Sequence, residues 1–160
     1  MTSRQLRSAR FPGVLRDYDA GQALVELALT IPLLLLLLLG AVELARAAYA
    51  SVEVTNAASA AVRYGAQNRT TAQDFPGMQL AAQNDAANIT LTSTTPARTC
   101  SCSDGTQSGS SCAGFRCTDG AATMETLTVM TTANFDTLVH LPGLPTTFTL
   151  RGYAVQKVLY

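Results

Sequence analysis

The sequence predicts an α+β fold, in which one long N-terminal helix precedes a small domain with a short helix and a three-stranded antiparallel sheet. The helix is indicated by a twenty-residue apolar run, 23–42, and by the alanine-rich stretch after it, which lacks proline and glycine as far as Tyr64. The sheet is indicated by three threonine-rich runs further along the chain. The chain carries 11 basic and 11 acidic residues. This balance argues against nucleic-acid binding, which needs a surplus of positive charge.

The apolar run has the length of a membrane-spanning helix. Its twenty residues rise about 30 Å, the thickness of a hydrocarbon core, and Glu26 is its only charge. The basic residues before it are Arg4, Arg7, Arg10 and Arg16. They predict a single-pass protein of the inner (cytoplasmic) membrane, with the N-terminus in the cytoplasm and the C-terminal domain outside. A cleaved signal peptide ending near Ala47 is the alternative, and the length of the run argues against it.

The motif that is most informative about function lies at the start of the apolar run. Gly21 and Gln22 stand just before the run, and Glu26 follows five residues after the glycine. A carboxylate inside a membrane helix is costly and needs a partner. The arrangement resembles the processing site of type IV prepilins, which implies cleavage between Gly21 and Gln22 by a prepilin peptidase and a role for Glu26 in assembly. A neighbouring subunit's new α-ammonium group would offset the Glu26 charge.

The resemblance narrows to the TadE-like minor pilins, or pseudopilins, of the tight-adherence (Flp) pilus. The segments that carry it are GQALVELALTIPLLLLLLLGAVELARAAYA and TNAASAAVRYGA, with a looser likeness over 123–160. It implies a subunit needed for assembly of an adhesive Tad pilus. The implied partners are the peptidase, other Tad pilins and pseudopilins, the inner-membrane assembly platform and membrane lipid. The terminal Gln156-Lys157 pair departs from the family's usual ending.

Three segments follow from this reading: a basic cytoplasmic leader (1–21), the pilin-type helix (22–65), and an outer α+β domain (66–160) with a cysteine-rich loop at 98–120. We expect Gly65 to end the helix.

Beyond the membrane, one side of the helix carries small residues: Ala41, Ala45, Ala48, Val52, Thr55, Ser59 and Val62. The opposite side carries Glu43, Arg46 and Glu53. The small stripe is suited either to packing on other helices or to docking on the chain's own domain.

The outer domain is predicted from local signals. A turn at Asp74 starts a short helix over 75–87. The alternation of apolar residues and threonines predicts strands at 89–91, 126–129 and 147–158.

Four cysteines lie between the first two predicted strands: Cys100, Cys102, Cys112 and Cys117. On the oxidising side of a membrane they are expected to form two disulfides. A bridge between Cys100 and Cys102 would close a cramped loop, which favours pairing of both with Cys112 and Cys117. A zinc site is the alternative, disfavoured by the spacing and by the lack of a nearby histidine.

No catalytic set emerges from the sequence, and we expect neither enzymatic activity nor a cofactor. His140 is the only histidine, and no acid or cysteine is arranged around it as a partner. The alternative function is an unprocessed single-pass membrane protein whose outer domain binds a partner or an envelope component.

Overall fold

The computed structural model describes residues 16–108, 112, 114–118, 120, 122–139, 143 and 145–158, with the backbone alone for 16–20. His140 and most of the basic leader lie outside these residues. The helices are α1 (Arg16–Gly65) and α2 (Phe75–Asp85), with a short 3₁₀ turn at Thr71–Gln73 between them. The strands are β1 (Leu91–Ser101), β2 (Gln107–Ser108), β3 (Met124–Asp136) and β4 (Thr147–Lys157). The chain forms two compact units, Met1–Val42 and Glu43–Tyr160.

Helix α1 runs for 50 residues and contains one proline, Pro32. Among the described residues it is the one helix that is long and apolar enough to cross a membrane. All its side chains from Gly21 to Val42 are exposed, as expected for a segment that lipid would surround. The helix ends at Gly65 as predicted. A Cβ atom there would meet Met78 Cε and, at 2.8 Å, Leu127 Cδ1, so a larger residue would require the ends of these two side chains to shift.

Helix α2 begins where the sequence predicts and ends at Asp85, two residues before the predicted end. Its first turn is capped by Asp74, whose carboxylate accepts a hydrogen bond of 3.0 Å from the Gly77 N–H. Met78 and Ala82 form its buried side.

The sheet has four strands in the order β2-β1-β3-β4, all antiparallel, so the prediction of three strands was wrong. The additional strand, β2, has two residues and pairs with Cys100 and Ser101 at the end of β1. The first long strand also lies mostly after the predicted segment 89–91, since it runs from Leu91 to Ser101. Its serines, threonines, proline and arginine lack the alternation of apolar residues that indicates a strand.

The outer part of α1 lies along the buried face of the sheet, antiparallel to β3. Arg46 stands over the Phe135 ring at 5.2 Å, the Thr131 hydroxyl donates to the Val54 carbonyl at 2.7 Å, and Gly65 meets Leu127. The twenty helical residues from Arg46 to Gly65 are separated by nineteen steps and rise about 28 Å. The nine strand residues from Phe135 to Leu127 are separated by eight steps and span about 27 Å. Helix and strand are therefore in contact near both ends and at the middle of this common length.

The core between α1, α2 and the sheet is built largely from alanine. Its larger members are Met78, Leu127 and Val129. The alanines are Ala57, Ala61, Ala66, Ala72, Ala82 and Ala86. Small side chains let the helix backbone approach the sheet closely, which explains the direct contact at Val54.

The two edges of the sheet differ. Strand β4 pairs with β3 in unbroken register from Lys157 to Thr147 and contains no proline. On the other side, β1 contains Pro96 and a shift of register between Leu91 and Ser93. Proline and irregular register are features that discourage further strand pairing, so β1 is protected in a way that β4 is not.

Candidate functional site at the start of the apolar helix

The predicted processing and assembly residues lie together on the first turns of α1. The Gln22 side-chain amide donates a hydrogen bond of 3.0 Å to a Glu26 carboxylate oxygen. The pair is one helical turn apart and both side chains are exposed. In the described part of the chain, this amide is the partner that the structure gives to the Glu26 carboxylate. A neutral amide lowers the cost of a carboxylate in lipid but leaves its charge uncompensated.

Gly21 occupies an ordinary helical position. A Cβ atom at this residue would have no other atom within 4 Å, and the backbone does not take a positive φ there. Glycine in a helix costs about 1 kcal/mol relative to alanine. Neither packing nor backbone conformation therefore requires glycine at position 21.

The helix backbone is locally weakened just after Glu26. The Thr30 hydroxyl donates to the Glu26 carbonyl oxygen at 2.7 Å, a contact that commonly bends helices. Pro32 has no N–H to donate, and it removes one backbone hydrogen bond in the following turn.

The stripe of small residues faces away from the chain's own domain. Of its seven members only the last, Val62, is buried. Larger apolar residues extend this exposed surface, with exposures of 72% for Leu44, 63% for Tyr49 and 57% for Val52. The domain docks on the opposite side of α1, and of the stripe only Val62 packs into the domain core. The rest of the stripe is not used to cover the chain's own domain.

The charged side of α1 faces the domain instead. The Glu53 carboxylate accepts the Asn88 N–H at 2.8 Å, and it is only 9% exposed. The Glu43 carboxylate accepts the Leu138 N–H at 3.1 Å and pairs with Arg46 at 3.3 Å. Sequence reasoning placed these charges opposite the stripe but did not find that they fasten the helix to the domain. Only the tertiary contacts reveal it.

The four cysteines form two disulfides, Cys100–Cys112 and Cys102–Cys117. Two bridges from Cys100 and Cys102 to Cys112 and Cys117 were predicted, and the structure adds which cysteine pairs with which. Cys100 lies within β1 and Cys102 just after it, so each of the first two cysteines ties the end of β1 to the following loop. The bridges interlock in sequence, and together they tie this loop to the end of β1.

A carboxylate that sequence reasoning missed lies beside one of the bridges. Glu125 is opposite Cys100 in the sheet register, and its carboxylate lies within 4.8 Å of the sulfurs of Cys100 and Cys112. These sulfurs are bonded to each other and do not serve as metal ligands while the bridge is intact. The sequence gives no signal for this proximity, because it depends on the pairing of β1 with β3.

A second polar pair joins α1 to the start of α2. The Tyr64 hydroxyl donates to the Asp74 carboxylate at 2.7 Å. This bond lowers the pKa of Asp74, with help from the Gly77 N–H. The same bond raises the pKa of Tyr64. The pair supports the connection between the two helices.

Comparison with known proteins bears on the apolar helix. Searches of curated proteins and of solved structures give no match. The family model described as TadE-like protein matches residues 21–63, which begins at the glycine of the motif and ends two residues before the end of α1. The resemblance read from the sequence is confirmed over this segment. Over this helix the chain is therefore similar to TadE-like proteins.

Proposed function

We propose that this protein is a minor pilin that a prepilin peptidase cleaves after Gly21 and that joins other pilins in a Tad (Flp) pilus or its initiating complex. The observation that carries the proposal is the spacing from Gly21 to Glu26 at the start of a membrane-length helix, in the segment that the family model matches. Its role is structural assembly and not catalysis.

The geometry of Gly21 supports cleavage at this position. The glycine has no packing or backbone requirement and costs helix stability. Recognition by a peptidase supplies a reason for it, since a residue without a side chain gives access to the scissile peptide bond. The four arginines of the leader favour its cytoplasmic location, the side on which prepilin peptidases act in the family that the chain resembles.

The Gln22–Glu26 pair supports a role in assembly. Cleavage after Gly21 would create an α-ammonium group on Gln22, the residue whose side chain already contacts Glu26. A charged partner stabilises a carboxylate in lipid more than an amide does. A neighbouring subunit that brings its own ammonium group to Glu26 is therefore favoured over a lone helix in the membrane.

The outward stripe supports helix packing between subunits. An isolated domain would turn its apolar residues inward and its charges toward water. Here Glu43 and Glu53 are used on the domain side, while Leu44, Tyr49 and Val52 remain exposed. Small residues between them allow close approach of a second helix.

The proposal is tested by the mass of the chain in cells that carry the cognate prepilin peptidase. We expect the wild-type chain to lose residues 1–21, and Gly21→Val to keep them. Gly40→Val is the matched control, because Gly40 is also a helical glycine with nothing within 4 Å of its Cβ position. It should be cleaved normally. A wild-type chain that retains its leader, or one that begins after Ala47, would contradict the proposal.

Assembly is tested separately with Glu26→Gln, which keeps the shape and removes the charge. This variant should be cleaved as efficiently as the wild type but should be lost from sheared pili. Equal incorporation of the cleaved variant and the wild type would show that the Glu26 charge has no role in assembly.

A further inference from the structure

The sheet has a second face, turned away from α1, which the pilin role does not use. Because side chains alternate along each strand, the residues between the buried ones share this outer face. It is rich in threonine hydroxyl groups, among them those of Thr95, Thr126, Thr128, Thr132, Thr147 and Thr149. Threonine has few side-chain rotamers, so such a face presents hydroxyl groups at nearly fixed positions.

A small apolar patch lies in the middle of this outer face. Tyr153 is directly opposite Met130 in the sheet register, and Val155 follows two residues later on the same strand. Their exposures are 61%, 42% and 50%, respectively. In a domain whose core consists largely of alanine, large side chains left in water indicate a binding surface.

The charges of the outer face are mainly positive. Arg151 and Lys157 lie on the same strand and the same side as Tyr153, and both are exposed. Neither makes an ion pair with a described residue. Among the described residues, the ion pair is the one between Glu43 and Arg46. The one acid among the outward positions of the described strands is Asp136, at the end of β3, where it accepts a hydrogen bond from Thr147.

We infer that this outer face binds an acidic polysaccharide, laid along β4. A tyrosine ring offers a flat apolar surface to the C–H face of a sugar ring. A guanidinium group recognises a carboxylate through two parallel hydrogen bonds. The rigid hydroxyl groups around them are donors and acceptors for the hydroxyl groups of a glycan.

The spacing along β4 suits a polymer. At about 3.4 Å per residue, Arg151 and Tyr153 are about 7 Å apart and Arg151 and Lys157 about 20 Å apart. A chain of several sugars that carries a carboxylate on its units would meet a cation, an aromatic ring and a second cation in turn. A set of contacts spread over about 20 Å of one strand matches an extended ligand better than a small molecule.

Other partners fit less well. A stable protein interface covers about 800 Å² on each partner around an apolar centre, and three apolar side chains among hydroxyl groups do not provide one. A nucleic acid needs more than two cations on the contact face. The inference does not depend on processing or on assembly into a pilus.

The experiment measures binding of the full chain, in a neutral detergent, to immobilised polygalacturonate, with dextran as the uncharged glycan. We expect binding to polygalacturonate and none to dextran. Tyr153→Ala and Arg151→Gln should each weaken binding about tenfold, whereas Tyr153→Phe, which keeps the ring, should retain it. Arg63→Gln is the control, because Arg63 is an exposed cation on α1, and it should leave binding unchanged.

Three results would overturn the inference. They are no binding of the wild type to polygalacturonate, equal losses in Arg63→Gln and Arg151→Gln, and binding of a short DNA duplex as tight as that of the glycan with no dependence on Tyr153. Intact disulfides and unchanged unfolding midpoints in each variant exclude misfolding as the cause of a loss. Because the three substituted residues are exposed, we expect both properties to be preserved.

Discussion

Gly152 is the position at which the contact between α1 and the sheet is tightest, and Gly152→Ala tests that contact. A Cβ atom at this position would lie 2.6 Å from Thr131 Oγ1 and 2.7 Å from the Val54 carbonyl carbon. The Val54 carbonyl belongs to the helix backbone and cannot rotate away as a side chain can. The alanine methyl group therefore forces the helix and the strand apart.

The expected cost follows from three contributions. Overpacking of this kind costs about 1–3 kcal/mol. Separating the elements by about 1 Å also breaks the buried Thr131–Val54 hydrogen bond of 2.7 Å, at about 1 kcal/mol. Replacing glycine by alanine in a strand returns about 0.5–1 kcal/mol through the unfolded chain. We expect Gly152→Ala to lower the free energy of unfolding by about 2 kcal/mol.

Urea unfolding of the full chain in detergent micelles measures this change, with tyrosine fluorescence as the signal because the chain has five tyrosines and no tryptophan. Thr131→Val removes the hydrogen bond alone and should cost about 1 kcal/mol. Because Gly152→Ala already breaks the same bond, the double variant should be more stable than the sum of the two losses predicts. A neutral or stabilising effect of Gly152→Ala would refute the close contact, and simple additivity would refute the shared hydrogen bond.

Two further predictions concern the outer domain. Replacing Cys100 and Cys112 together by serine should lower the free energy of unfolding by about 3 kcal/mol, since the bridge closes a loop with a sequence separation of 12. A urea midpoint equal to that of the wild type with both bridges intact would contradict this. The lowered pKa of Asp74 means that its contribution to stability is present above its ordinary pKa of 3.8 and is lost as the pH falls through the lower folded value. The raised pKa of Tyr64 means that its contribution is present below its ordinary pKa of 10.0 and is lost as the pH rises through the higher folded value. Unfolding midpoints measured across pH should show both losses, and Asp74→Asn should remove the acid one.

The parts of the structure that depend on local sequence were predictable. The length of the apolar run, the stop at Gly65 and the Asp74 cap of α2 are decided by neighbouring residues. The same holds for the Gly21–Glu26 motif, whose residues lie within two turns of one helix.

The parts that depend on distant contacts were not predictable. In β1 the inward positions include Pro96 and Arg98, so the strand is formed by pairing with β3 and not by an apolar pattern. Strand β2 has only two residues, and it is defined by its pairing with Cys100 and Ser101 and not by a pattern of its own. The side of α1 that packs on the domain could not be recognised from the sequence, because it carries Glu43 and Glu53. Charged residues normally indicate solvent exposure, but here both carboxylates accept hydrogen bonds from the domain.

The unprotected edge of β4 has a consequence for how two copies of this protein can meet. Antiparallel pairing of β4 with β4 of a second copy relates the two sheets by a half-turn about an axis normal to the sheet. The outer part of α1 lies along the strands, so this half-turn also reverses its direction. In such a pair the outer parts of α1 lie on the same face of the joined sheet and run in opposite directions. Because β4 carries no proline, its edge leaves the domain open to this edge-to-edge association.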